Sequence, residues 1–260
     1  MKYFYAPILF FLFTTLIQAQ NLVESSIKEA ISNSGLTLTT FDNYYSNPSA
    51  LADLNAINFQ STIKNFYELE NLFSKSIALG FPIKNQNAYA SVYYQNNGAS
   101  FFKTQNLGLG IGKRISKQLS IGANFQLGNQ VVEGWSSPIG IEISFGFLFT
   151  ANKDLNFSSV FKTSNNISIL SFGMDYKLLE HLTLYLQMDK ELKNNIEFKY
   201  GLIYYINKSI NVAIGMVPLQ SSFTMGANFL LKDKIELGVS FQRHLYLGYS
   251  PTASFKYFWK

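Results

Sequence analysis

Few residues in this chain are equipped for chemistry. His181 and His244 are its only imidazoles. A hydrolase built on serine needs an imidazole to take the hydroxyl proton and a third group to orient that imidazole. His181 falls in a short polar turn. His244 follows Arg243 at the end of an alternating segment, with Asp175 and Asp189 elsewhere in the chain. A histidine so placed reads as an interfacial side chain, and no catalytic residue is assigned. Gly108, Gly110 and Gly112 lack the Gly-x-x-x-x-Gly-Lys spacing of a phosphate loop. They alternate within a strand, where they relieve crowding or permit a bend. There is no cysteine, no paired histidine and no calcium-loop run of acids, so neither a metal nor another cofactor is expected.

The elements that must carry these residues read as strands. Ile139, Ile141, Ile143, Phe145, Phe147 and Phe149 oppose Gly140, Glu142, Ser144 and Gly146. Ala253, Phe255, Tyr257 and Trp259 oppose Thr252, Ser254 and Lys256. Similar alternation runs through 120–128, 222–231 and 234–242. Such a period of two places alternate side chains on opposite faces of a strand. Here one face carries large apolar and aromatic groups, and the other Gly, Ser, Thr and Asn. Aromatics reach 16% while charged residues are only 14%, against about 25% charge in an ordinary soluble domain. Bulky apolar residues facing outward to lipid, with small polar ones facing a lumen, are the pattern of a transmembrane barrel.

Short polar turns at Lys84–Asn87, Ser116–Gln118, Asn152–Asp154, Glu180–His181, Asn207–Ser209 and Lys232–Lys234 alternate with longer connections such as Asn129–Ser137, Lys190–Asn195 and Tyr246–Pro251. Counting segments between them predicts an all-β, transmembrane antiparallel β-barrel of about 14 strands over 56–260. The start of the chain reads as a secretory signal peptide over 1–19: Lys2, an apolar run from Ala6 to Ile17, and Ala19 at a cleavage point. Residues 20–55 lack strand periodicity and read as a plug tucked into the periplasmic mouth, with Ser49 able to cap a helical turn. The expected location is the bacterial outer membrane, with both termini periplasmic.

If the strand phases hold, Glu142, Asp175, Asp189, Glu197, Lys199, Glu236 and Lys256 face the lumen, where such charges should pair. Tyr93, Tyr94, Trp135, Tyr185, Tyr204, Tyr205, Tyr246 and Tyr249 read as strand-end or outward aromatics suited to the head-group interface. Tyr257 and Trp259 put terminal aromatics on the last strand, resembling the signal by which insertion machinery recognises barrels. The net charge of +5 reads as a mildly basic surface. Outer-membrane lipid is the expected partner, with no dense basic cluster for nucleic acid.

The phrase Asp42-Asn43-Tyr44-Tyr45-Ser46-Asn47-Pro48-Ser49-Ala50-Leu51-Ala52 resembles the Asn-Pro-Ala-[Gly/Ala]-Leu signature that precedes the barrel in FadL-type fatty-acid transporters. It is also similar to that of the PorV/PorQ-type barrels of Bacteroidota. Ser49 stands where the signature has Ala. The glycine-studded stretches Ala78–Ile83 and Leu107–Gly122 are similar to hairpins of the same superfamily. The resemblance implies a fourteen-stranded barrel with an N-terminal plug whose motif residues here are Asn47, Pro48, Ser49 and Ala50. It implies one of two non-enzymatic roles. The first, favoured by the short loops and small inward residues, is an accessory subunit of a larger secretion or barrel-assembly complex. The alternative is a passive channel for small hydrophobic molecules.

Overall fold

The computed structural model describes residues 23–83, 86–99, 101–164, 167–192 and 194–259. The signal segment expected over 1–19 lies outside the described residues. The strands are β1 (Ile57–Asn65), β2 (Phe73–Ile83), β3 (Ala88–Gly98), β4 (Phe102–Arg114), β5 (Leu119–Val132), β6 (Trp135–Ser136), β7 (Gly140–Asn152) and β8 (Leu155–Ser164). They continue as β9 (Ile167–Leu179), β10 (Leu182–Glu191), β11 (Ile196–Tyr205), β12 (Ile210–Val217), β13 (Ser222–Leu231), β14 (Ile235–His244) and β15 (Gly248–Trp259). Each pairs antiparallel with its neighbours, and β1 closes the ring on β15 with Ile57 opposite Trp259 and Lys64 opposite Thr252. The result is a closed barrel of 14 strands. The short β6 stands outside the ring and pairs only with the end of β5.

Both ends of the barrel, Ile57 and Trp259, lie on one rim with the polar turns after β2, β4, β7, β9, β11 and β13; this is the turn rim. The other connections form the loop rim. Two stretches expected as long loops are shorter. Strand pairing continues through Val132 on β5, and β15 begins at Gly248. Gln130 is a strand residue facing the lumen mouth rather than free loop, and Asn129 belongs to the same paired strand.

Alternation sorts the two faces. On β4, Leu107, Leu109 and Ile111 point out and are about half exposed, while Gly108, Gly110 and Gly112 point in. On β7, Phe145, Phe147 and Phe149 point out and Ser144 and Leu148 point in. Parity also corrects three aromatics expected outside. Tyr93 and Tyr185 are buried in the lumen, and Tyr205 packs inward against the plug. Tyr93 and Tyr94 are adjacent, so a strand must send one to each face; Tyr94 takes the outside.

The core is inside the barrel and is built on the N-terminal segment. Ser25 caps the short helix α1 (Ser26–Ala30) by accepting from the amide of Lys28. Ile27, Ala30, Ile31 and Leu38 of this segment pack on Tyr185, Ile203 and Ala213 of the wall. Phe41, Tyr44, Tyr45 and Leu51 pack on Ala78, Tyr89 and Tyr93. Tyr44 and Tyr93 meet with ring centroids 5.2 Å apart. The segment therefore does more than close a mouth: it rises through the lumen until Ala30 and Ser32 meet Thr224 near the loop end of β13.

A lysine introduced at Phe145, mid-strand on the outer face, should cost about 2–4 kcal/mol if that face meets hydrocarbon. The same change at Tyr246, on a loop-rim tip, should cost far less. Unfolding of the two variants in lipid vesicles measures this, and equal losses would contradict a lipid-facing surface.

Candidate functional site

The lumen is where the wall and the N-terminal segment meet, and the Asn47-Pro48-Ser49-Ala50 motif anchors the contact. Pro48 opens a 3-10 turn over Pro48–Leu51 at a position where its missing N–H costs nothing. Asn47, not Ser49, caps that turn. Its Oδ1 accepts from the Ser49 amide at 3.2 Å and the Ser49 hydroxyl at 2.6 Å. Its Nδ2 donates to the Leu36 carbonyl and the Ser158 hydroxyl on β8, both at 2.8 Å. One buried amide thus ties two parts of the plug to the wall. Beneath the motif the wall is bare: a side chain on Gly112 would strike the Pro48 carbonyl, and one on Gly122 the backbone of Ser49. Ala50 is buried against this seat.

Charged pairs hold the plug at other points. Lys256 on β15 reaches Asp42 at 2.7 Å and Glu236 on β14 at 3.1 Å. Lys64 on β1 reaches Glu29 of α1 at 2.5 Å. Arg114, at the end of β4, pairs with Asp53 where the plug leads into β1. Lys28 is fully buried; its ammonium donates to Asn43 Oδ1 at 2.6 Å, with Glu24 at 3.7 Å. Burial pushes the Lys28 ammonium down, and Glu24 offsets only part of that. Burial alone would raise the Asp42 carboxyl, but the adjacent Lys256 ammonium outweighs it and holds Asp42 below its ordinary value.

All seven charges expected in the lumen point into it. Lys199 joins Asp189 at 2.7 Å and Glu197 at 3.3 Å. Glu142 accepts from the Tyr45 hydroxyl at 3.0 Å and lies 3.7 Å from Lys162. Asp175 accepts from Asn156 at 3.0 Å. Glu236 and Lys256 belong to the Asp42 cluster. Sequence reasoning missed Lys64 and Lys162, although parity along β1 and β8 would have turned both inward. It could not have found that Glu24, Glu29 and Asp42 oppose the wall, because nothing in residues 20–55 gives their register against the strands.

On the loop side of the plug lies a vestibule of about 620 Å³. Asn33, Leu36, Tyr45 and Ser46 form its floor, and the loop-end halves of β7 to β11 form one side, reaching Ser137 and Pro138 at the rim. Asparagine and glutamine line the opposite side, from β3 to β5. The histidines lie elsewhere. His244 Nδ1 accepts from the amides of Tyr246 and Leu247, and its ring stands against Tyr67 and Tyr246. His181 is exposed on the turn rim. Among the described residues no three His, Cys, Asp or Glu side chains gather as a metal site. Tyr257 and Trp259 meet edge-on with ring centroids 4.5 Å apart at the end of β15, with Trp259 turned outward.

Neither a protein-family model nor a curated protein matches the chain by sequence. Its architecture does match solved structures. The CymD monoaromatic hydrocarbon channel superposes with a TM-score of 0.68 at 10% identity, over 93% of this chain and 99% of that one. The Ralstonia pickettii toluene transporter TbuX gives 0.68 at 10% identity, over 92% and 99%. A Pseudomonas aeruginosa FadL homologue gives 0.63 at 10% identity, over 90% and 98%. The fold is that of a bacterial outer-membrane barrel. The likeness to FadL-type barrels thus extends to architecture, and an affiliation to the PorV/PorQ type is not shown.

In this barrel the Asp42–Lys256 pair gives plug docking a pH dependence with a definite sign. A carboxyl whose docked pKa is depressed favours docking above its undocked value, and the benefit is lost as pH falls through the docked value. Plug retention should therefore be constant at neutral pH and weaken in acid below the ordinary carboxylate range. Asp42→Asn should weaken docking by about 3 kcal/mol and flatten the acid response. Exposure of a cysteine introduced at Ser46 to a thiol reagent across pH measures both, and an unchanged acid response in Asp42→Asn would contradict the assignment.

Proposed function

We propose that this chain is a non-enzymatic outer-membrane channel for small molecules, with the N-terminal segment as its hatch and both barrel ends in the periplasm. The observation that carries this reading is the vestibule of about 620 Å³ on one side of a plug that fills the lumen below it. A cavity of this size lies in the range that takes drug-sized ligands. The hatch is seated on wall glycines and held by discrete hydrogen bonds and ion pairs at Asn47, Glu29 and Asp42. Contacts of that kind can be broken without opening the closed ring of strands.

The similarity in fold to barrels described as a monoaromatic hydrocarbon channel and as a toluene transporter supports small, largely apolar cargo. The accessory role drew part of its motive from the small inward residues. In the structure those at Gly112, Gly122 and Gly146 are spent on seating the plug, and the barrels of similar fold lend the accessory role no support. Outer-membrane lipid would meet the outward face of Leu109, Phe145 and Phe147.

Deleting residues 21–52 should raise single-channel conductance in planar bilayers, because the lumen would lose its filling. A deleted form that folds, shown by retained strand content and heat-modifiable migration, yet carries no more current than the parent would overturn the channel reading.

A further inference from the structure

We infer that the turn rim is a docking surface for the head groups of anionic phospholipids. In the orientation proposed above this rim is the periplasmic one. The surface lies on the outside of the barrel, so it stands or falls separately from what passes through the lumen.

The two rims differ in charge. Five consecutive reversals on the turn rim each present an exposed lysine: Lys117 after β4, Lys153 after β7, Lys177 near the end of β9, Lys208 after β11 and Lys232 after β13. Lys113 and Lys234 stand beside the first and the last of these. Of the described acids on this rim, Asp53 is taken by Arg114, and Asp154, Glu180 and Asp233 remain. Among the described residues none of the seven lysines has an ion-pair partner. On the loop rim the exposed charges balance, with Lys75, Lys103 and Arg243 against Glu68, Glu70 and Glu133.

The lysines sit where the apolar wall ends. Lys177 lies between the exposed Tyr176 and Leu178, and Lys208 follows the exposed Tyr204 and Ile206. Lys113 ends the outward column of Leu107, Leu109 and Ile111. Outward Tyr and Trp mark the head-group level of a membrane protein, and Tyr176, Tyr204 and Trp259 put that level at the turn rim. A lysine stem can lie along apolar surface while its ammonium reaches outward, and near an anionic bilayer surface that ammonium is attracted.

The turn after β13 carries a local cost that points the same way. Lys232 and Asp233 are both left-handed, with φ of 50° and 54°. Asn, Asp and Gly suit that conformation. Lysine does not, and no ion pair of Lys232 among the described residues offsets the strain. The lysines are also spread along the arc, about one to a hairpin, and are not gathered into a pocket. That arrangement fits many separate head groups of a fluid bilayer better than one compact anion.

Trp259 is placed to report on this surface, because the Phe258 amide donates to the Lys234 carbonyl at 2.8 Å and so sets the last turn of the arc beside it. The chain has two tryptophans, and Trp135→Phe leaves Trp259 as the sole reporter. The test uses the full-length barrel in phosphatidylcholine nanodiscs doped with brominated phosphatidylglycerol or brominated phosphatidylcholine. Quenching of Trp259 should show phosphatidylglycerol bound about fivefold more tightly, the size expected of one lysine near an anionic surface. The preference should vanish in roughly 0.5 M salt and in Lys232→Asn/Lys234→Gln, whose asparagine keeps the left-handed turn. A reporter moved to the loop side of β7, by Ile141→Trp with both native tryptophans changed to Phe, should show no preference. Equal binding of the two lipids at Trp259, the same preference at position 141, or a preference that survives the two lysine substitutions would overturn the inference. Inorganic phosphate that displaced the lipid where chloride of equal ionic strength did not would assign the surface to a soluble anion and overturn it as well. Unchanged conductance on plug deletion would overturn the channel reading and leave this docking surface standing.

Discussion

Closing fourteen strands into a ring satisfies every backbone edge, and in doing so it creates a lumen. Eight strands enclose a space that wall side chains can fill; fourteen enclose one they cannot. Here the wall fills it only in part, because many of its inward positions are Gly, Ser, Thr and Asn. The remaining space is taken by the chain's own N-terminal segment. Most other features inside the barrel follow from that need to seat a non-repeating segment against a repeating wall. Gly112 and Gly122 admit the backbone at Pro48 and Ser49. Tyr89 and Tyr93 extend inward to meet Phe41 and Tyr44.

The plug is not seated by apolar burial alone. Lys28, Glu24, Asp42 and Glu29 are all buried inside the barrel, where each unpaired charge would be costly. Each has a partner at a fixed place: Lys256 must meet both Asp42 and Glu236, and Lys64 must meet both Glu29 and Gln242. Such pairs are demanding in geometry, so they specify one docked position. They also respond to pH and to competing ions, as greasy packing does not. The hatch proposed above would need a contact that is specific and yet separable, and this set of contacts has both properties.

The two sides of the vestibule differ. From β3 to β5 it is lined by neutral amides, and from β7 to β11 by acids, lysines and a short apolar strip. The difference arises from β9 and β10, where Ile167 and Ile169 take inward positions beside Asp189 and Glu191. Elsewhere small polar residues predominate inside, with Tyr89, Tyr93, Tyr185 and Ile203 turned in against the plug.

Much of this was legible in the sequence. The period-two alternation placed Glu142, Asp175, Asp189, Glu197, Lys199, Glu236 and Lys256 on the lumen side, because a strand has only two faces and its parity decides which. The same rule exposes the error at Tyr93 and Tyr185, which were read by residue type rather than by phase. The polar turns at the turn rim were visible because tight reversals draw on a narrow set of residues. What the sequence did not hold was the path of residues 23–55 through the lumen. That segment has no period, so nothing local says that Asn47 rather than Ser49 caps its turn, or that Asp42 finds Lys256 more than two hundred residues away. Those pairings and the vestibule above them exist only once the ring has closed. Alternation is a property of each strand alone, whereas the shape of an enclosed space belongs to all of them together.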